Sequence, residues 1–117
     1  MTTVYHELLP ESYLLLLTPG PPKDPESALD FSLGCAYRSG RPAVWVDCEL
    51  VSALSTESTR ALWNYHRKLQ EEHKQLVVVH ASDELKQNLL NWQMGPNLCF
   101  APTLIDAAWH SGLRLVA

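Results

Sequence analysis

The sequence predicts an α/β fold with a mixed, mostly parallel β-sheet, helices packed against it and a β-hairpin at the N-terminus. From residue 24 onwards, short apolar segments alternate with longer amphipathic ones, which is typical of strand–helix–strand crossovers in a parallel sheet. The segment QLVVVH at residues 75–80 contains a continuous run of three β-branched valines, as expected for a strand covered on both faces. With 117 residues, we expect a single domain spanning residues 1–117.

The first predicted elements are the hairpin and a helix. Residues 4–9 and 13–18 are apolar runs separated by residues 10–12, PES, and turn-forming residues between two short apolar runs predict a β-hairpin. A proline-rich loop then leads to Asp24 and Pro25, which suit the N-cap and the first position of a helix.

The middle of the chain predicts a strand, a loop, a helix and a second strand. The strand Ala43–Asp47 is followed by a loop and then by residues 55–70, where apolar side chains recur every three or four positions. That spacing is expected of a helix with one face on the sheet. A charged turn separates this helix from the strand at residues 75–80.

The C-terminal part predicts a helix, a short strand and a last helix. Ser82 precedes two acidic residues, a pattern that suits a helix start. Residues 98–101 follow as a strand, and Thr103 with Asp106 makes a capping box for the last helix. We expect the apolar side of the helix after Ser82 to consist of Leu85, Leu89, Leu90 and Trp92.

Charge and composition exclude several kinds of partner. The formal net charge of −4 and the pI near 5.6 argue against nucleic acid, which needs a basic face. No apolar run is long enough for a membrane span, and the N-terminus lacks the pattern of a signal peptide. We therefore expect a cytoplasmic protein whose partner is another protein. Cys35, Cys48 and Cys99 form no C-x-x-C pair, which predicts reduced thiols.

Motifs of catalysis and of metal binding are absent from the sequence. There is no Gly-rich phosphate loop, no G-x-S-x-G and no H-E-x-x-H, and the histidines are dispersed over separate elements. We therefore predict no enzyme, no cofactor and no metal site. Asp47 is expected to hydrogen-bond the loop that follows it, and Cys48 to be buried and inert. The competing class is a small enzyme or ligand-binding α/β domain with a site at the strand ends around Asp47, His80 and Phe100.

A cluster of hydroxyl groups marks the start of the central helix. Ser55, Thr56, Ser58 and Thr59 lie where unpaired backbone N–H groups carry a partial positive charge. A hydroxyl there can cap the helix, and the same end also favours a phosphate attached to one of them. Both interpretations are open from the residues alone.

The segment AVWVDCELVSALSTESTRALWNYHRKLQEEHKQLVVVHASDELKQNLL, together with residues 102–108 (PTLIDAA), resembles the STAS domain of bacterial anti-sigma-factor antagonists. In that family a strand ending in Asp or Asn leads to an acidic residue, one or two hydroxyls and a glycine that open the next helix. The resemblance places the family's phosphoacceptor on Thr56. Its acidic residue falls on Ser55, and the following hydroxyl and glycine fall on Glu57 and Ser58.

The resemblance implies a signalling phosphoprotein that regulates transcription by binding an anti-sigma factor or serine/threonine kinase. The partner surface would comprise Ser55, Thr56, Glu57, Ser58 and Arg60. Phosphate on Thr56 would add roughly −1.5 to −2 charge there and repel an acidic partner. The alternative within the family is a degenerate, unphosphorylated scaffold subunit of a larger assembly. A homodimer through the hairpin edge is a further possibility.

Overall fold

A computed structural model of the chain describes residues 2–8, 11–20, 28–92 and 98–110. They form five strands and four helices in an α/β arrangement. In chain order these elements are β1 (Thr2–Leu8), β2 (Ser12–Thr18), α1 (Leu29–Arg38), β3 (Ala43–Asp47), α2 (Thr56–Glu71), β4 (Gln75–Val79), α3 (Asp83–Asn91), β5 (Cys99–Ala101) and α4 (Leu104–His110).

The strands form one mixed sheet in the order β1-β2-β3-β4-β5, which is also their order along the chain. β1 pairs antiparallel with β2, and every other neighbouring pair is parallel. The predicted α/β class with a mostly parallel sheet is therefore confirmed. Residues 9 and 10, between β1 and β2, lie outside the described residues.

The two faces of the sheet are covered unequally by the described helices. α1, α2 and α3 contribute side chains to one large core, which they share with Leu15, Val46 and Val78 of the sheet. On the other face, Trp45 and Val77 belong to a smaller cluster to which α4 contributes Ala107. This alternation along each strand explains why β3 and β4 consist almost entirely of apolar residues, since both of their faces are buried.

The parallel register brings the carboxyl ends of the central strands to one edge of the sheet. Asp47, the last residue of β3, is paired with Val79, the last residue of β4. The chain leaves β3 into the loop 48–55 and then enters α2. The start of α2 and the residues that follow β4 are thus both placed by the ends of neighbouring strands.

The structure differs from the predicted elements in three places. α1 begins at Leu29, with Ala28 still extended, whereas the predicted caps in residues 24–27 lie outside the described residues. His80 has left the strand and adopts a left-handed backbone with φ of 58°. Leu90 and Trp92 are exposed rather than part of the apolar face, because α3 is short and contributes only its other leucines to the core. No described helix combines the length and apolarity needed to cross a membrane.

Candidate functional site

The start of α2 is capped by a single serine. Ser55 is extended, with φ of −67° and ψ of 163°, and its Oγ accepts a hydrogen bond from the backbone N–H of Ser58 at 3.1 Å. The Ser55 Oγ–H also donates to Ser58 Oγ at 3.0 Å. The predicted capping role of the hydroxyl cluster is therefore confirmed, and it belongs to Ser55.

The other hydroxyls of the cluster have different environments. Ser58 and Thr59 are buried, and the Thr59 Oγ1–H donates to the Ser55 carbonyl at 2.9 Å. Thr56, the first residue of α2, is exposed. Among the described residues its side chain has no hydrogen-bond partner. Of the four hydroxyls, that of Thr56 alone is both exposed and unused by the fold.

The surface around Thr56 is acidic on one side. A shallow groove of about 140 Å³ separates the start of α2 from the start of α1. Asp30 of α1 and Glu57 of α2 both line it, and no basic side chain does. Arg60, one turn further along α2, is exposed. The groove is lined by Ala28, Leu29, Asp30, Ser55, Glu57, Ser58 and Ala61.

The loop that enters α2 combines a fixed anchor with an exposed apolar side chain. Val51 is buried, and its N–H donates to the Cys48 carbonyl at 3.1 Å. Leu50, by contrast, is 53% exposed although it is a large apolar residue. A single exposed apolar side chain is common on protein surfaces, and this one lies in the loop that enters α2.

The body of α2 is held against α1 by aromatic contacts that the sequence did not predict. The rings of Tyr37 and Tyr65 lie 6.0 Å apart between centroids. Lys68 Nζ of α2 lies 5.9 Å from the centre of the Tyr37 ring of α1 and 4.8 Å from that of Tyr65 in its own helix, both within the range of a cation–π interaction. His66, which the sequence placed on no particular face, is buried. These contacts fix the orientation of α2 and therefore of its first turn.

A second group of polar side chains meets at the ends of β3 and β4. Asp47 Oδ1 lies 3.0 Å from His80 Nδ1 and accepts a hydrogen bond from the Glu49 N–H, also at 3.0 Å. The predicted bond from Asp47 to its following loop is thus confirmed. The structure also brings Asp47 and His80 together, whereas Phe100 packs against the large core, with Lys86 Nζ 5.6 Å from the centre of its ring.

Cys48 is not a reactive group of this site. Its side chain is buried, and burial, assisted by the neighbouring charge of Asp47, raises the pKa of the thiol to about 12. The Cys48 thiol therefore remains protonated near neutral pH, and the prediction of a buried, inert cysteine is confirmed.

The fold and the placement of α2 at the end of a central parallel strand define a STAS-like α/β domain. No protein-family model matches the sequence, and no curated protein matches it significantly. Solved structures do match. The crystal structure of TM1081 from Thermotoga maritima, classed provisionally as an anti-sigma factor antagonist, superposes with a TM-score of 0.77 at 8% identity. The match covers 92% of this chain and 93% of that one.

Two further structures support the same assignment. The NMR structure of TM1081 gives a TM-score of 0.74 at 10% identity and covers 93% of this chain and 88% of that one. A variant of RsbS from Moorella thermoacetica gives a TM-score of 0.67 at 12% identity, and the match covers 93% of this chain and 94% of that one. At these identities the likeness establishes the fold. The STAS-like fold predicted from the sequence is therefore confirmed.

The predicted partner-binding residues occupy one end of α2. Ser55, Thr56, Glu57 and Arg60 are exposed there, whereas Ser58 is buried beneath them. A direct contact with a partner is thus available to four of the five. In the structure, the Ser58 N–H donates a hydrogen bond to the capping Ser55 Oγ.

Proposed function

We propose that this chain is a protein-interaction module of the anti-sigma-factor-antagonist type, acting in transcription regulation in the bacterial cytoplasm. Its partner, an anti-sigma factor or serine/threonine kinase, docks on the loop 48–55 and the first turn of α2. Thr56 is the candidate phosphoacceptor. The observation that carries the proposal is the exposure of the Thr56 hydroxyl, which is free of any structural hydrogen bond among the described residues.

The hydrogen bonds of the cluster make Thr56 the most accessible acceptor. A kinase needs a hydroxyl that can enter its active site without unfolding the substrate. Ser55 Oγ is committed to the cap, Ser58 is buried, and Thr59 Oγ1 is bonded to the Ser55 carbonyl. Modifying any of these three would break a helix-start contact, whereas modifying Thr56 would break none.

Phosphate at this position would change binding more than stability. The helix N-terminus carries about half a positive charge, which would favour the phosphate and offset part of the repulsion from Glu57. A partner packed on Leu50, however, would have to cover a group carrying roughly −1.5 to −2 charge. Desolvating that charge in an apolar contact is unfavourable. The phosphorylated form should therefore stay folded and release its partner.

The test uses purified candidate anti-sigma kinases that are encoded in the same genome as this protein. The protein is incubated with each kinase and ATP, and the phosphate is mapped by mass spectrometry. Binding of each kinase, without ATP, is then measured by surface plasmon resonance for the native chain, Thr56→Glu and Gln70→Glu. Gln70 is exposed at the opposite end of α2, outside the proposed docking surface, and controls for added charge. We expect modification at Thr56 and at least tenfold weaker binding for Thr56→Glu only. Phosphate at another hydroxyl, or equal effects of both variants, would refute the assignment.

A second candidate is an unphosphorylated scaffold that uses the same surface. Glu57 favours it, because its exposed carboxylate already supplies a fixed negative charge beside Thr56. In that case the partner would bind the native chain tightly, and no kinase would modify it. The same binding and mass-spectrometry measurements separate the two candidates.

A further inference from the structure

The ends of β3 and β4 hold three side chains of the types that bind metal ions. One ligand atom each from Asp47, Glu49 and His80 lie within 4.8 Å of one another. Asp47 comes from the last position of β3, Glu49 from the loop two residues later, and His80 from the first position after β4. The set is therefore assembled by the parallel register of two adjacent strands, which explains why the dispersed histidines of the sequence did not reveal it.

The charge of this cluster is uncompensated within the described part of the chain. Asp47 is buried and Glu49 is exposed, and neither carboxylate forms an ion pair with a lysine or arginine among the described residues. Among the described residues, the side chain that contacts the Asp47 carboxylate is that of His80, whose Nδ1 lies 3.0 Å from Asp47 Oδ1. Both described contacts of the Asp47 carboxylate fall on Oδ1, so Oδ2 is left for another ligand.

The backbone holds His80 in place for this contact. Its φ of 58° is a left-handed conformation that few residues other than glycine adopt. The His80 N–H donates to the Ala101 carbonyl of β5 at 3.1 Å, and the Cys48 N–H donates to the Val79 carbonyl at 2.9 Å. The segments carrying Asp47 and His80 are thus each bonded to a neighbouring strand, so the two ligands are positioned before any ion arrives.

We propose that Asp47, Glu49 and His80 form a binding site for a divalent transition-metal cation, with Zn²⁺ as the representative ion. One imidazole and two carboxylates suit Zn²⁺ better than Ca²⁺ or Mg²⁺, which prefer oxygen ligands alone. Ligand atoms of a tetrahedral zinc site lie roughly 3.3 Å apart. The 3.0 Å between Asp47 and His80 is close to that value, and the exposed Glu49 can rotate to complete the set. Water would fill the fourth position.

The bound ion would connect the loop 48–55 to the end of β4. Glu49 lies in the loop that leads to α2, so its coordination would restrain that loop. The site is nevertheless separate from Thr56, and metal binding can fail while the proposed phosphorylation holds, or the reverse.

The test measures Zn²⁺ binding to the metal-free chain by isothermal titration calorimetry, together with the melting temperature at increasing Zn²⁺. His80→Asn removes the imidazole, and asparagine tolerates a left-handed backbone. Glu49→Gln removes an exposed carboxylate. His73→Asn is the matched control, because His73 is exposed and also left-handed, with φ of 60°. Co²⁺ absorption gives an independent readout of coordination geometry.

We expect one Zn²⁺ per chain, a rise in melting temperature with Zn²⁺ concentration and tetrahedral Co²⁺ bands. His80→Asn should abolish all three, Glu49→Gln should weaken binding at least tenfold, and His73→Asn should change none of them. No binding by the native chain at 100 μM protein would overturn the proposal. Equal Zn²⁺ affinity in the native and His80→Asn proteins would also overturn it, because the contact between Asp47 and His80 would then have a structural role alone.

Discussion

Replacing Ser55 with alanine should destabilise the protein, whereas replacing Thr56 should not. Ser55 Oγ accepts the Ser58 N–H at 3.1 Å and donates to Ser58 Oγ at 3.0 Å. Loss of an N-cap costs about 1 kcal/mol. Ser58 is buried, so its hydroxyl would also lose a partner, which costs about 0.5–1.5 kcal/mol. The free energy of unfolding should therefore fall by about 1.5–2.5 kcal/mol in Ser55→Ala.

Thr56→Ala removes an exposed hydroxyl without a described partner, and such surface changes usually lie within about 0.5 kcal/mol. The assay is chemical unfolding in guanidinium chloride, followed by tryptophan fluorescence, with thermal unfolding as a second measurement. For a domain of this size, the loss in Ser55→Ala corresponds to a fall in melting temperature of roughly 5–10 °C. Ser82→Ala is a positive control, because Ser82 caps α3 with the same geometry, accepting the Leu85 N–H at 3.1 Å.

Equal destabilisation by Ser55→Ala and Thr56→Ala would refute the reasoning, since it would mean that the Thr56 hydroxyl also supports the helix start. Ser55→Ala would also refute the reasoning if it left the free energy of unfolding unchanged while Ser82→Ala lowered it, since the Ser55 cap would then be absent in solution. The first result would also remove the observation on which the choice of Thr56 as phosphoacceptor depends, and the second would leave the Ser55 hydroxyl as accessible to a kinase as that of Thr56.

Three other substitutions or measurements test the described structure. Leu62→Ala should lower the free energy of unfolding by about 2–5 kcal/mol, because Leu62 is fully buried between α2 and the sheet, and denaturant titration measures the loss. Gly40→Ala should cost about 1 kcal/mol in the same titration, because Gly40 has a φ of 76° and a Cβ there would meet no atom, so the cost is backbone strain alone. A thiol reagent at pH 8 should label two cysteines in the native protein and three in denaturant, because Cys48 is buried while the other two are partly exposed; fast labelling of all three in the native state would contradict the described core.

Most of the sheet was predictable because its signals are local. The strands Ala43–Asp47 and residues 75–79 are runs of residues buried on both faces, and their sequence shows it directly. The cap of α2 was also predictable at the level of the cluster, since serine and threonine before an amphipathic segment favour a helix start. The sequence could not predict which of the four hydroxyls caps the helix. All four have similar chemistry, and only the direction in which the chain enters α2 distinguishes them.

The contact between Asp47 and His80 could not be predicted as a contact, because it depends on register. The two residues are 33 positions apart, and a shift of one residue between β3 and β4 would separate them. The sequence does place both at strand ends, which is why they were candidates for a ligand site. The inclusion of Glu49 had no such signal, because a glutamate in a loop is ordinarily solvated. The exposure of Leu90 and Trp92 was not predictable either, because it depends on the length of α3 and on where the helix lies on the sheet.

The agreement between strand order in the sheet and strand order in the chain has a consequence for biosynthesis. Each parallel strand from β3 onwards can join an edge that has already been made, so the sheet can grow in the direction in which the ribosome delivers the chain. No strand has to wait for a distant partner or be inserted between two others. We therefore expect nascent chains that end after β4 to be already collapsed around β2, β3 and β4, with β5 and α4 the last elements to gain protection from hydrogen exchange.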